Sequence, residues 1–491
     1  MKYIYALILA GILSLFINLR AASEEQGKEP EQPVSTDSRW LKIFHSTHGI
    51  GKTTLFPLEE VDSIYFLNST DYFGNGSQGY EGATQMVIAT TQEGLIYKMG
   101  LDSILKLGVA PRIPTLYIDT DSVVDEIPDK VNYLQATFRY EPEDGTDTLT
   151  TSVSIRGRGN SSWFFPKKPY RLKFDKKQSI GNLNKAKSFV LISNYIDNTL
   201  MRNSIAFKIS ELAGMPFANV SQPVNLVLNG EKRGSYLLTN KTGINSGSVD
   251  IDEKEGVLWE MDTYLDEEYQ FISDAYNLPC MLKDPDPLEI AANDTVAAEE
   301  IWSAWKEDLN QALLTVESGH WEDAFDAEQF VKYILVCNIT QNSELEHPKS
   351  FFLYKENKDA RYKLGPVWDF DWSMGYNMNM YRTLLTKGSE SYNFFYTIFS
   401  NYKFKMLFKE EFDRFCEQSI PQLLEFIDEY ALLIGDSAAE NAALWTEEHY
   451  LAPIEHREIN TRRFLENVDW IKQWLLTRID FIKNHPNHAL Y

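Results

Sequence analysis

Apolar and polar positions divide the chain into two regimes. Between Trp40 and about Leu107, the runs WLKIF, VDSIYFL, ATQMVIAT and GLIYKM alternate or cluster apolar side chains between groups of Gly, Asn, Ser and Asp. Apolar residues at every second position place one face of a strand on a core, so this stretch predicts a small β-rich module over residues 39–110. Pro111 and Pro114 punctuate the chain before TLYIDT. A mixed region follows to about residue 290, in which SVSIRGRGN, YRLKF, FVLIS, PVNLVLNG and GSYLLT read as strands or strand-turns, with one helix near residues 198–213.

The last third changes period. Trp302, Trp305, Leu309 and Leu313 recur at helical spacing, as do Phe464, Val468, Ile471, Leu475, Ile479 and Ile482. Trp470 and Trp474 fall at core positions of the same C-terminal helix. The expected architecture is α+β: a β-rich lobe and then a mostly helical lobe over residues 111–485, preceded by the β-rich accessory module.

The N-terminus reads differently. Lys2, an apolar run from Tyr3 to Ile17 and the exit Ala21-Ala22-Ser23 make residues 1–22 a secretory signal peptide. The run falls short of the roughly 20 residues a membrane span needs, although an uncleaved anchor is the alternative. No cysteine follows it, so a lipoprotein anchor is not expected. Residues 23–38 are polar and read as a flexible linker. The expected location is periplasmic, at the cell surface or extracellular, with no membrane span left after cleavage.

Composition narrows the partners. The chain has 71 Asp and Glu against 47 Lys and Arg, a net charge of −24. That balance disfavours nucleic acid and anionic lipid, whose phosphates select cationic surfaces. Cys280, Cys337 and Cys416 lie far apart without CxxC spacing, which argues against a disulfide framework and a structural zinc site, leaving one bridge at most.

Three stretches invite a chemical reading. The first, His45 to Thr53, resembles the end of a phosphate-binding loop, but Ser46 replaces the glycine and Pro57 leaves no room for the helix that must follow. His45 and His48 are then surface residues. The second, SIRGRGNSSWFFPKKPYRLKFDKK over residues 154–177, carries eight basic side chains against Asp175 alone. Gly157 and Gly159, followed by Asn160, Ser161 and Ser162, allow a tight turn whose N–H groups face an oxyanion. Lys168 shares the parity of Tyr170, Leu172 and Phe174, so it would point inward beneath the turn, with Lys173 as second choice because Pro169 can shift the parity. The same pattern also fits a plain hairpin with a basic outer face.

In the third stretch, LGPVWDFDWSMG (364–375), Asp369 and Asp371 alternate with Trp368, Phe370 and Trp372. On a strand, two carboxylates at i and i+2 point the same way about 7 Å apart. Such a pair suits Mg²⁺, which takes oxygen ligands; a salt-bridged or capping turn is the alternative. A glycosidase pair fits poorly, because retaining enzymes bring two carboxylates to about 5 Å, usually from separate elements. Upstream, Asn338, Asn342, Glu344 and Glu346 precede SFFLYK. Asp197 reads as a helix N-cap and Arg202 as a buried partner for an acid. His449 and His456 read as loop residues, and the acidic run Asp252–Glu268 as a solvated face or a lure for a cationic substrate.

Taken in order, RGRGNSSW–PKKPYRLKF, LISNYIDNTLMRN (191–203), VNLVLNGEKRGSYLL (224–238), LWEMD (258–262) and GPVWDFDW (365–372) resemble the spore-coat CotH kinase family from about residue 112 to about 480. The VDSIYF module is similar to accessory domains of secreted Bacteroidetes proteins. The resemblance implies an atypical protein kinase-like two-lobe fold that uses ATP and Mg²⁺ or Mn²⁺ to phosphorylate Ser of a protein substrate. By position, the turn holding Arg156, Gly157, Arg158, Gly159, Asn160 and Ser161 would cover the phosphates, with Lys173 nearby, and Lys168 would pair with them. Asp369, with Asp371 and Asn342, would hold the metal, and Glu344 would stand where the family has the Asp of an Asn-x-Asp element. Asn240 replaces a family Glu. The competing expectation is an eroded kinase fold acting as a surface or envelope binding protein for a protein or glycan.

Overall fold

The computed structural model describes residues 39–47, 50–67, 85–90, 96–100, 104–122, 124–143, 145–346, 348–376, 391–445 and 464–484. The expected signal peptide (1–22) and linker (23–38), with His48, His449 and His456, lie outside the described residues. The described chain forms two compact units. One takes in the residues up to Ile113, Pro142–Thr146 and Leu432–Ala439; the other holds Pro114–Glu141, Asp147–Ala431 and Glu440 onward.

The first unit contains strands β1 (Arg39–Thr47), β2 (Ile50–Pro57), β3 (Val61–Leu67), β4 (Gln85–Thr90), β5 (Ile96–Gly100) and β6 (Ile104–Pro111). They form two three-stranded sheets, β2-β1-β6 and β3-β4-β5. Leu41, Ile43, Phe56, Met86 and Ile88 make the core, as the two-residue alternation requires. On the other face of β1, Lys42 is fully buried and donates to the Leu433 carbonyl and Asp436 Oδ1, both at 2.9 Å. The segment resembling a phosphate loop is the β1–β2 hairpin, with Thr47 opposite Ile50. His45 is half-buried with its ring Nε2 2.8 Å from Thr54 Oγ1, so it is not the plain surface residue expected.

In the second unit, β7 (Thr115–Thr120), β8 (Leu134–Glu141), β9 (Leu149–Gly157), β10 (Tyr170–Gln178), β11 (Ala186–Ile192), β12 (Ser221–Leu228) and β13 (Glu231–Asn240) close into a barrel. Its order is β10-β11-β13-β12-β7-β8-β9, with β7 and β12 parallel. Tyr170, Leu172 and Phe174 point into its core with Ile155, Phe138 and Phe189. A second sheet runs β15-β16-β14-β17-β18, from β14 (Val257–Met261), β15 (Gln270–Ile272), β16 (Pro279–Asp284), β17 (Phe351–Lys355) and β18 (Lys363–Leu364).

The helices are α1 (Arg202–Leu212), α2 (Pro287–Ile290), α3 (Thr295–Glu317), α4 (Trp321–Ala324), α5 (Ala327–Thr340), α6 (Tyr392–Ser400), α7 (Tyr402–Gln418), α8 (Ile420–Leu444) and α9 (Phe464–Asn484). On α9, Val468, Ile471, Trp474, Leu475, Ile479 and Ile482 are buried, one face at steps of three and four. Arg478 of α9 is buried and donates to the Asn338 carbonyl at 2.8 Å and to Asn338 Oδ1 at 2.6 Å, fixing the end of α5. The fold is α+β, as expected. Strands and helices are not fully segregated along the chain: β17 and β18 come after α3–α5 and join the second sheet. All five β17 side chains are buried, which suits its place inside the second sheet. The three cysteines are free. Among the described residues no helix is long and apolar enough to cross a membrane.

Candidate functional site

Six segments of the second unit line a cavity of about 460 Å³. The turn after β9 supplies Arg158 to Ser162, β11 ends in Ile192 and Ser193, and α1 gives Asn203. Strand β14 and the residues after it contribute Glu260, Asp262 and Tyr264; Glu344, Glu346, Lys349 and Ser350 come from the loop before β17; Trp368, Asp369, Asp371 and Trp372 complete it.

The turn is built on its glycines. Gly159 adopts φ +84°, and its carbonyl accepts from Lys130 Nζ at 2.9 Å. A Cβ on Gly157 would stand 2.3 Å from the Trp163 ring, so only glycine lets the ring close over the strand end. Ser161–Phe164 then form a single 3₁₀ turn. Arg158 reaches the acids, its guanidinium 5.6 Å from the Trp368 ring centre. Burial lowers its pKa, while the charges of Asp369, Glu260 and Asp371 oppose that shift.

Asp369 and Asp371 do not lie on a strand, as alternation with aromatics suggested. The backbone from Gly365 to Phe370 is irregular, and Asp369 sits in the left-handed region at φ +62°. A non-glycine residue there is held by its surroundings at some cost. Here Asn203 Oδ1 accepts the Phe370 N–H at 2.9 Å, Asn203 Nδ2 donates to Asp371, and Arg202 Nε donates to the Ser373 carbonyl at 3.0 Å. Arg202 is paired in turn with Asp197, both fully buried. Asp197 thus serves as the acid Arg202 needs, and it also accepts the Arg202 N–H at the start of α1 at 2.8 Å.

The carboxylates crowd one another. Asp369 opens to the cavity, yet protein around it raises its pKa, against the pull of Arg158 and Lys349. Asp371 is pushed up to about 7, first by burial and then by the charges of Asp369 and Asp197. Glu344 is pushed up to about 8, first by burial and then by Asp369, with Lys349 opposing. Burial also lifts Asp262 to about 7 against the hydrogen bond from the Tyr264 N–H. Glu260 is neutralised differently, by Lys283 at 2.8 Å. Like charges this close resist ionising together unless a cation joins them.

Of the residues expected at the site, Arg158, Gly159, Asn160, Ser161, Glu344, Asp369 and Asp371 line the cavity. Others do not. Lys168 is half-buried, with Nζ donating to the Trp163 carbonyl at 3.1 Å and 4.8 Å from that ring's centre. The inward lysine is Lys167, which donates to the Ser235 carbonyl and Asn441 Oδ1; β10 begins only at Tyr170, so its parity does not reach back across Pro169. Lys173 is exposed on the barrel exterior. Arg156 faces outward on β9, and Gly157 packs against Trp163. Asn342 is buried in a turn, its Oδ1 accepting the Glu344 N–H at 3.0 Å, so it positions Glu344 rather than facing the cavity. Asn240 lies outside the lining, donating to the Asn184 carbonyl at 2.9 Å.

The cavity also uses residues for which the sequence marked no role: Asn203, Glu260, Asp262 and Lys349. Three of them belong to the ordered motifs, Asn203 closing LISNYIDNTLMRN and Glu260 and Asp262 lying in LWEMD. The acidic run is therefore not solvated throughout. Among the described residues no group of three or more His, Cys, Asp and Glu side chains is arranged to hold a metal ion. Mg²⁺ can be held by one or two carboxylates plus phosphate oxygens and water, and Asp369 and Asp371, both held hard to ionise by burial despite the cations near them, are chemically suited to that. The family model described as CotH kinase protein matches residues 155–482, a span that includes every cavity-lining residue. A search of curated proteins finds no match.

Proposed function

The chain belongs to the CotH kinase family, and we propose that its cavity transfers the γ-phosphoryl group of ATP to a serine of a protein substrate. The observation that carries this reading is the meeting of Asp369, Asp371 and Glu344 in one cavity beneath the Arg158–Ser162 turn. Phosphoryl transfer is chiefly positioning and charge neutralisation. Arg158 and Lys349 are the cations available to phosphate oxygens, and the turn offers backbone N–H groups beside them. Asp369 and Asp371 would hold a divalent cation, Mg²⁺ or Mn²⁺, which when bound supplies further neutralisation of the phosphates.

In the reaction, the serine Oγ forms a bond to the γ-phosphorus while the bond to the β–γ bridging oxygen breaks and ADP leaves. The hydroxyl proton goes to Glu344. A base with a pKa near the working pH gains driving force for taking that proton without losing its ionised fraction altogether, and burial, followed by the charge of Asp369, moves Glu344 in that direction. The acceptor is a protein of the cell envelope or surface, reached by export through residues 1–22 and met with ATP outside the cytoplasm.

A second reading draws on Lys168, which is engaged with Trp163 away from the cavity. It makes the protein an eroded kinase fold that binds a surface partner, protein or glycan, without transfer. Incubating the full chain with ATP and Mg²⁺ or Mn²⁺, and weighing it intact beside Asp369→Asn, separates the two. Phosphoryl-sized mass steps in the parent alone support the kinase. Absence of both mass gain and metal-dependent ATP binding overturns it in favour of the eroded fold.

A further inference from the structure

Beyond the cavity, the outside of the barrel carries a second concentration of positive charge. Arg156 on β9 and Arg171 on β10 stand directly opposite each other in antiparallel register. Their neighbours Ile155, Tyr170 and Leu172 fill the barrel core, so the two guanidinium groups share its outer face. Like charges placed opposite on adjacent strands repel, and among the described residues neither arginine has an acidic ion-pair partner. Neither is a fully solvated surface group: both are half-buried.

Unused donors gather here. Arg156 gives one nitrogen to the Lys130 carbonyl and stands 5.0 Å from the Tyr133 ring centre. The Arg156 Nε, the Arg171 Nε and the Tyr133 hydroxyl are all buried, and among the described residues none has a hydrogen-bond partner. Lys241, just past β13, donates its N–H to the Ser188 carbonyl of β11 at 3.1 Å, which brings it to the strand beside β10. Its ammonium is depressed to about 8, first by burial and then by the charge of Arg171. The nearby acids make their bonds to other groups, Glu267 to Lys283, Asp284 to the Ile244 N–H at 3.0 Å and Asp129 to the Val131 and Asn132 N–H groups at 2.7 Å, and act on these cations through charge without pairing directly.

We propose that Arg156, Arg171, Tyr133 and Lys241 form an oxyanion site for a phosphate monoester, separate from the phosphotransfer cavity. Buried donors without acceptors are satisfied by an anion, and two guanidinium forks match the charge and the several oxygens of a phosphate dianion. None of the four residues lines the cavity. The site stands whether or not the cavity transfers phosphate. Its phosphate can come from a phosphorylated side chain or from a nucleotide tail.

Titration of the full chain with inorganic phosphate at constant ionic strength, followed by calorimetry and thermal melting, tests it. Saturable binding is expected in the parent, with Arg171→Gln weaker by about tenfold or more. Tyr133→Phe, which removes one hydroxyl and keeps the fold, should be weaker severalfold. Lys349→Gln, which removes a cavity cation, should weaken only phosphate held in the cavity and leave the Arg171-dependent part of the response in place. No binding by the parent, or unchanged binding in both Arg171→Gln and Tyr133→Phe, overturns the site; so does a response lost in Lys349→Gln and kept in Arg171→Gln. Displacement of phosphate by a phosphoserine peptide supports the site with a phosphorylated side chain as its ligand, and displacement by metal-free ATP alone supports it with a nucleotide.

Discussion

Asn203 holds Asp371 and the backbone beside it with a single amide: Nδ2 donates to Asp371 Oδ1 while Oδ1 accepts the Phe370 N–H at 2.9 Å. The Nδ2 also reaches Asn194 Oδ1 at 3.1 Å, which fixes the amide's orientation. Through this side chain the first turn of α1 sets the position of both acids in the cavity.

Replacing that amide with a shape-matched apolar group removes all three bonds. Asn203→Leu is expected to leave Asp371 harder to ionise and its loop looser. Support of this kind around a metal-binding carboxylate is typically worth about 10–100-fold in metal affinity. Isothermal titration of ATP with Mn²⁺ should show a loss of that order in the variant.

Glu344 is tested by removing only its ability to take a proton. Glu344→Gln should lower kcat by about 10²–10⁴-fold with the KM for ATP nearly unchanged, because a general base acts in the transition state. Glu344→Asp should retain part of the activity. Steady-state kinetics on an acceptor protein decide it, and an equal rise in KM alone would make Glu344 a binding residue.

The crowded acids also set a pH dependence. Unfolded Asp and Glu titrate near pH 4, whereas folded Asp371, Asp262 and Glu344 are raised to about 7, 7 and 8. Between those limits the folded state keeps protons that the unfolded state has lost, so stability falls as pH rises from about 4 to about 8. Without divalent cation, the melting temperature should be lower at about pH 8 than at about pH 5.5. Added Mg²⁺ or Mn²⁺ should raise it more at the higher pH. Differential scanning calorimetry at the two pH values, with and without cation, measures both effects.

Asp197 and Arg202 form a fully buried pair beneath the same loop. Removing one partner strands the other charge, so Asp197→Ala should destabilise the protein by about 3–5 kcal/mol. Urea unfolding followed by near-ultraviolet circular dichroism reads this directly. A loss below about 1 kcal/mol would mean that water reaches Arg202.

Local patterns revealed much of this protein. Steps of three and four marked the buried face of α9, two-residue alternation marked β1 and the core side chains of β10, and the ordered motifs contained Asp369, Asp371 and the Arg158–Ser161 turn, with Glu344 found by its place before SFFLYK. Spacing could not carry a side chain's direction past a break in regular structure. Pro169 interrupts the parity that would have turned Lys168 inward, so Lys167 is the buried lysine. Asp369 and Asp371 alternate with aromatics like strand residues, but bonds from Asn203 and Arg202 hold them in an irregular turn.

Tertiary structure alone decided which charges meet. Lys349 and Asp369 face one cavity, while Lys173 stays on the barrel exterior and Asn342 is spent on the turn before Glu344. The physical reason is that helix and strand periodicities are set by neighbours three or four residues away, and so can be read from sequence. The pKa of a carboxylate and the partner of a cation depend on groups brought close by barrel closure and by the packing of α1 against the Phe370 turn. Those distances are settled only when the whole unit has folded.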